Sequence, residues 1–534
     1  MRNGLKAPLI HPFSGWDVPR LVSAHAKARP DHPFLIWEPF NGPAQSWSYG
    51  AFEARITRIA AGLAVRGIGA GDRLLVHLDN CAEAVLIWYA CAKLGAVPVT
   101  TNARSVADDL NYFAAHSGAV AAVTQPKFAA LVNRACPDLK WIAVTEKDNG
   151  DDPAPGQAPA ASDSFDAIDA EPDRLPVRAV DPMAPAGIQY TSGTTSRPKG
   201  VLWTHANALY GARMMATYET LRPDDVHLCY LPLFHTNAQA YSVLAALWVG
   251  ASVVVQPRFS ASRFWEISLR HRCSWTSMVP FCLKAIADQP VPDHTYRMWG
   301  NGVCDLPSDA HFGVKTIGWW GMTETISVGT VGLPYTRNTP MTMGLPCPDR
   351  EIAILRPDGT PVDPGETGDF RIKGVPGISL FAEYINNPQA TEDSFDEDGF
   401  FITGDRVMLR EDGYLQFADR DKDMLKVGGE NVAASEIERV IMESGLVAEA
   451  AVVARKHPML DEVPVAFILV PGGPDAAAPD VAERILANCR ERLADFKVPR
   501  EIRIVPELPR STLEKIAKAQ LRDLLAQEDA KARN

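Results

Sequence analysis

Apolar residues recur at helical spacing between Ser48 and Gly67, where Phe52, Ile56, Ile59, Leu63 and Val65 mark one face, and this predicts a helix. The run Arg73-Leu-Leu-Val-His-Leu78 predicts a buried strand, and Ala82 to about Leu94 predicts a second helix. Ser105 with Asp108 has the pattern of a capping box opening a helix to His116. Ala119–Thr124 is then a short buried strand. Alternation resumes at Ala186 with a strand, a glycine-rich loop, a helix, and strands around His227–Leu231 and Ala251–Gln256. Repeated strand and helix in turn predict an α/β architecture with parallel-rich sheets.

Two stretches break the pattern. Residues 149–185 are rich in Asp, Pro and Ala and read as an irregular surface excursion between two subdomains. After Gly399 the strands shorten, and a compact α+β unit follows from about Asp421. It holds a helix over 435–444, strands near 447–454 and 463–471, and helices over 479–494 and 514–527, with a frayed end from Gln527 to Asn534. The expected division is a large N-terminal domain of α/β subdomains, 1–420, and a small C-terminal domain, 421–534. A chain of 534 residues is too long for one ordinary domain.

The charge balance narrows the partners. Lys plus Arg number 53 and Asp plus Glu number 65, a net charge of −12 that argues against broad binding of nucleic acid or anionic membrane. Nine cysteines with no C-x-x-C pair read as reduced thiols of a cytoplasmic protein, mostly core filler. Residues 1–16 lack the apolar run of a signal peptide. The most apolar stretch, 82–99, is interrupted by Glu83 and Lys93, so a buried helix is expected there and no transmembrane segment. Oligomeric state leaves no mark, and a homodimer stays open.

Candidate chemistry starts at Tyr190-Thr-Ser-Gly-Thr-Thr-Ser-Arg-Pro-Lys-Gly200. Hydroxyls at Thr191, Ser192, Thr194, Thr195 and Ser196 can donate to phosphate oxygens. Gly193 and Gly200 let backbone N–H groups turn toward an anion, and Lys199 adds a cation. The spacing does not fit G-x-x-x-x-G-K-S/T, so this is not the P-loop of the NTPase class.

The loop resembles the signature of the adenylate-forming superfamily, which includes acyl-CoA synthetases, adenylation domains of peptide synthetases and beetle luciferases. Ser196 stands where the family more often has glycine. Further motifs extend the resemblance over nearly the whole chain: Leu231-Pro-Leu-Phe-His235, Gly300-Asn-Gly-Val303, Trp320-Gly-Met-Thr-Glu324, Thr403-Gly-Asp405, the run 419–431, and Pro509 to Lys518. Alone, most have an ordinary reading: His235 could end a strand, Thr323-Glu324 could start a helix, Asp405 could sit in a turn. Their number and order carry the resemblance.

The resemblance implies ATP, Mg²⁺ and coenzyme A as cofactor and co-substrates and a small-molecule carboxylic acid as the partner. It places Trp320 on adenine with Gly302 along its face, Thr323 at the α-phosphate, and Glu324 as the Mg²⁺ ligand. It gives Asp405 and Arg420 to the ribose and makes His235 a gate to the acyl pocket. The C-terminal domain becomes a mobile lid hinged at Lys422; Lys426 and the Gly428–Gly429 turn serve the thioester step, and Lys515 is the catalytic lysine, with Lys518 as the alternative. Glu514 replaces the usual glycine before Lys515. The implied reaction is ATP-dependent conversion of an acid to its acyl-CoA through an acyl-adenylate, with AMP and pyrophosphate released. The alternative is a stand-alone adenylation enzyme that loads a carrier-protein thiol. The stretches 321–325 and 373–391 are similar to the carnitine/crotonobetaine-CoA ligase branch and to fatty-acid-CoA ligases. Gly321 is expected to leave room for a larger acyl group, while the bulky, polar wall of His235–Gln239 and Trp319 favours a medium, functionalised or aryl acid over a long alkyl chain.

Overall fold

The computed structural model describes residues 11–154, 162–191, 197–420, 424–474, 477–509, 516 and 518–533. Among them, two parallel-rich sheets form the body of the larger part. One runs in the order 345–346, 328–331, 315–321, 298–301, 275–277, 226–229, 252–255, 33–37 and 45–48. The other runs 383–384, 199–204, 185–191, 97–100, 73–77, 119–124, 142–144 and 163–164. The central pairs of both are parallel, as the sequence pattern predicted; antiparallel strands cap both edges of the first sheet and one edge of the second. The helices Tyr49–Val65, Ala82–Leu94 and His205–Tyr218 pack with strands of both sheets in one apolar cluster that includes Phe34, Phe52, Leu74, Val85, Leu209 and Val253. All nine cysteines are buried and free.

A four-stranded antiparallel sheet, 351–355, 367–373, 400–409 and 415–420, follows. The C-terminal residues then build two apolar clusters of their own. Leu425, Val432, Ile437, Ile441, Ile468 and Ile485 lie in one, and Val453, Phe467, Leu508, Leu521 and Leu525 in the other. This unit touches the larger part through a few polar contacts. Arg492 Nε donates to Asp108 at 3.3 Å, Lys284 Nζ donates to the Pro458 carbonyl at 2.5 Å, and the Arg104 guanidinium lies 5.4 Å from the Phe496 ring centre.

Several expectations are corrected. The cap at Ser105 lies one residue early: the helix is Ala107–Ser117, and the Asp109 carboxylate accepts from Val106 N at 3.3 Å. The excursion after residue 149 is pinned where it crosses the helix Tyr49–Val65. Arg55 and Arg58 bind Asp169 at 3.1 and 2.5 Å, and strand Asp163–Ser164 joins the sheet edge. The chain end is not frayed as far as Arg533. Asp529 accepts from Arg455 at 2.5 Å and Glu528 from Arg503 at 2.8 Å, which holds the helix Lys518–Arg533 on the sheet. No helix among the described residues is long and apolar enough to cross a membrane.

One buried pair departs from core chemistry. Glu219 caps the helix His205–Tyr218, and its Oε2 lies 3.4 Å from His227 Nε2 of strand Val226–Cys229, both side chains sealed from solvent. Burial pushes the Glu219 carboxyl up to about 7, against the hydrogen bond and charge of His227 that pull it down. A carboxyl whose folded pKa lies above its unfolded value favours the fold below about pH 4.5 and loses that contribution as the pH rises through 7. Glu219→Gln should therefore flatten the fall in Tm between about pH 5 and about pH 8, removing a term of roughly 2–3 kcal/mol. Thermal melts at the two pH values check this; an unchanged difference would mean that Glu219 does not titrate.

Candidate active site

Strand Lys315–Gly321 ends in a tight turn over Thr323–Thr325. The residue that closes it, Ile326, has φ +62°, a conformation that a β-branched side chain resists at a cost of about 1–3 kcal/mol. Neighbouring segments hold the turn against that strain. The fully buried Arg350 guanidinium donates to the carbonyls of Thr325 at 2.7 Å and Ser379 at 2.5 Å and lies 4.8 Å from the Tyr210 ring centre. Asp349 accepts from the hydroxyls of Tyr210 and Tyr218. Trp203 Nε1 donates to the Thr323 carbonyl at 3.0 Å, and Phe381 N donates to the Glu324 carbonyl at 2.8 Å.

Two of the expected side chains are thereby fixed. Thr323 Oγ1 is 3.2 Å from Thr236 Oγ1, which itself donates to Gln189 Oε1 at 2.9 Å. Glu324 is buried; its Oε1 accepts from Tyr384 at 2.8 Å, while Oε2 has no partner among the described residues. Burial raises the Glu324 pKa, and the Tyr384 hydroxyl and the Lys199 charge work against that rise. Lys199 Nζ stands 4.3 Å from the Tyr384 ring centre, so a cation, an aromatic hydroxyl and a carboxylate share one corner.

Thr191 and Lys199 pair across two antiparallel strands, Pro185–Thr191 and Lys199–Thr204. The hydroxyl-rich loop therefore joins strand to strand, and the expected helix starts only at His205. Ser192, Gly193, Thr194 and Thr195, with Ser196, lie outside the described residues. Packing also requires glycine at 200: a Cβ there would come within 2.7 Å of Ile385.

On the other side of Gly321, Trp320 is buried and its indole N–H donates to Asp405 Oδ2 at 2.8 Å. Thr403 Oγ1 donates to the Phe370 carbonyl at 2.6 Å and accepts from Asp405 N at 3.1 Å, which sets the strand carrying Asp405. Asp405 and Arg420 are register partners in adjacent strands. Gly302 is exposed, with open space around it.

The C-terminal unit reaches these residues through one hairpin. Strands Met424–Val427 and Glu430–Ala433 are joined by Gly428 and Gly429, both at positive φ. The next residue, Glu430, accepts from His235 Nε2 at 3.0 Å and from Asn102 Nδ2 at 3.2 Å. Burial would raise the Glu430 carboxyl, but His235, Arg104 and Lys497 outweigh it and hold the group below the usual carboxylate range. His235, expected as a gate, thus contacts the C-terminal unit. Lys426 is exposed, and its N–H donates to Glu462 at 2.8 Å. Lys515 and Lys422 lie outside the described residues. The alternative lysine, Lys518, pairs with Glu438 at 2.7 Å.

Sequence reasoning missed the parts that come from afar. Tyr384, Arg350 and Trp203 belong to no motif that was read as chemical, and Arg350, inside the charged run Asp349-Arg350-Glu351, gave no signal of its own. The expected room at Gly321 is also corrected: the Tyr241 hydroxyl occupies it, 2.4 Å from where a Cβ would stand.

The chain matches the model of AMP-binding enzymes over residues 22–385 and that of the AMP-binding enzyme C-terminal domain over residues 436–515. It is 32% identical over 526 residues to the crotonobetaine/carnitine–CoA ligase of Escherichia coli O139:H28, covering 95% of this chain and 98% of that one. A double mutant of the o-succinylbenzoate CoA synthetase of Bacillus subtilis, bound with its product analogue OSB-NCoA, superposes with a TM-score of 0.80 at 26% identity, over 95% of this chain and 99% of that one. The same synthetase in complex with AMP gives 0.67 at 27% identity, over 95% and 98%. With the threonine–glutamate turn, the aspartate hydrogen-bonded to Trp320 and these likenesses in agreement, the chain belongs to the AMP-binding enzyme family, as an ATP-dependent acid–CoA ligase that works through an acyl-adenylate.

Proposed function

We propose that adenylation takes place at the Thr323–Glu324 turn and that the lid carries both the catalytic lysine and the gate for coenzyme A. The observation that carries this reading is the buried Glu324 with one oxygen unsatisfied. A sealed carboxylate oxygen without a donor calls for a cation. Glu324 would hold a magnesium ion through that oxygen, and the ion would supply positive charge to the triphosphate.

A carboxylate oxygen of the acid attacks the α-phosphorus; the bond to the bridging oxygen breaks and pyrophosphate leaves. Two anions meet in that step, so positioned positive charge is the main requirement. Thr191, Ser192, Gly193, Thr194, Thr195 and Lys199 cradle the phosphates, Thr323 donates to the α-phosphate, and Lys515 neutralises the charge that develops there. Trp320 and Gly302 flank adenine. Trp320 also orients Asp405 by its N–H, leaving that carboxylate, with Arg420, for the ribose hydroxyls.

In the second step the coenzyme A thiolate attacks the acyl carbon and AMP leaves. Glu430 on His235 places the Gly428–Gly429 turn and the neighbouring Lys426 beside the site, where the pantetheine arm must pass. The better superposition on the synthetase bound with a CoA product analogue than on its AMP complex supports assigning this arrangement to the thioester step. A hinge at Lys422 would separate domains 1–420 and 421–534 and bring Lys515 in for adenylation. The reaction is placed in the cytoplasm, in keeping with the reduced, buried thiols.

Two variants separate the half-reactions. Lys515→Ala should slow acid-dependent pyrophosphate release roughly 100-fold or more while sparing transfer from supplied acyl-adenylate to coenzyme A. Glu430→Gln should leave pyrophosphate release within about threefold and slow that transfer by about tenfold or more, because a charged contact of the docked lid is lost. Equal losses in both half-reactions for either variant would defeat the division of labour. Arg350→Lys, which cannot keep both planar contacts, should lower kcat for adenylation by about tenfold with a smaller change in KM. Steady-state kinetics on the folded variant check it, and an unchanged kcat would free Arg350 of any positioning role.

A further inference from the structure

We infer that Trp319 and Tyr241 form the end wall of the acyl site and restrict this ligase to short, compact carboxylic acids. The inference rests on placing adenylation at Thr323. With its carboxylate beside Thr323 and the nucleotide on the side of Trp320 and Asp405, the acid must run its tail the opposite way. That direction leads between strand Lys315–Gly321 and the helical segment Asn237–Leu244.

Two glycines would open a passage there, and the chain's own rings fill both. A Cβ on Gly321 would stand 2.4 Å from the Tyr241 hydroxyl. A Cβ on Gly300, on the neighbouring strand, would stand 1.8 Å from Trp319 Cη2, so the indole lies directly on the Gly300 backbone. The Tyr241 and Trp319 rings meet edge to face at 5.8 Å and 77°. Trp319 stacks on Trp275 at 5.9 Å and 6°, and Trp275 on His227 at 5.9 Å and 23°. The result is a continuous column of rings, every member buried.

A column of this kind is a stop and not a door. Trp319 can swing aside only by leaving Trp275 and uncovering Gly300, and the rings around it are already close-packed. His227, behind the column, is tied to Glu219, so the far end is closed as well. The wall thus decides on the length of the acid, and His235 at the mouth does not.

The test is the rate of pyrophosphate release with ATP and coenzyme A and four straight-chain acids: acetate, butyrate, octanoate and dodecanoate. For the wild type, kcat/KM with butyrate should exceed that with dodecanoate by about 100-fold or more. Trp319→Ala should raise octanoate use by about tenfold or more and narrow that ratio. Gly321→Ala, which presses on Tyr241, should cut butyrate use by about tenfold relative to acetate, and it decides the matter if Trp319→Ala does not fold. Thermal melts establish folding. Equal use of butyrate and dodecanoate by the wild type, or an unchanged length profile in either folded variant, would overturn the inference alone. Absence of pyrophosphate release with every acid, under conditions where a reference ligase turns over, would overturn the placement of adenylation and the inference with it.

Discussion

A carboxylate oxygen closed off from water with no donor in reach is costly, and Glu324 Oε2 is in that position. The surroundings are arranged to keep it so. Tyr384 takes the other oxygen, Lys199 lies over the Tyr384 ring and not on the acid, and the peptide backbone of the turn is spoken for by Arg350, Trp203 and Phe381. None of these residues adjoins Glu324 in the chain. Their convergence depends on two parallel-rich sheets and the loops between them meeting at one strand end, which is where open α/β sheets place their ligands. The strained Ile326 fits the same picture, since a turn that unfavourable persists only where its neighbours over-determine it.

The C-terminal unit is held together differently. Its own two apolar clusters hold it together, and its contacts to the larger part are few, polar and exposed at their margins. An interface of that kind favours relative movement over permanent docking. Glu430 is the exception: it is buried and receives donors from two separate segments of the larger part. Such a contact is specific enough to choose one orientation and small enough to be given up.

Much of the fold could be read from the sequence because its helices and parallel strands carry strong periodic patterns. The helix Ala82–Leu94 and the strand Ala119–Thr124 fall on their expected bounds. The misses have physical causes. The cap at Ser105 failed because Asp109 sits where it can accept from the first free N–H. The phosphate loop was expected to feed a helix, but the residues after Lys199 are β-branched and aromatic enough to pair back as a strand. Local motifs singled out Trp320, Thr323 and Glu324 within five consecutive residues, whereas Asp405 meets Trp320 only through the fold, across 85 positions of chain. The reading of Gly321 as room failed for a similar reason. Whether a missing side chain leaves a void depends on Tyr241, eighty positions upstream, and no local pattern carries that information.

The burial of every cysteine has a consequence for an enzyme of this kind. An acyl-adenylate is an electrophile that any nearby thiolate can consume, and coenzyme A must win that competition. Burial pushes the thiols of Cys304 and Cys489 up to about 11 and those of Cys229 and Cys347 up to about 12, so none offers a thiolate near neutral pH. The burial thereby keeps the protein's own thiols out of that competition.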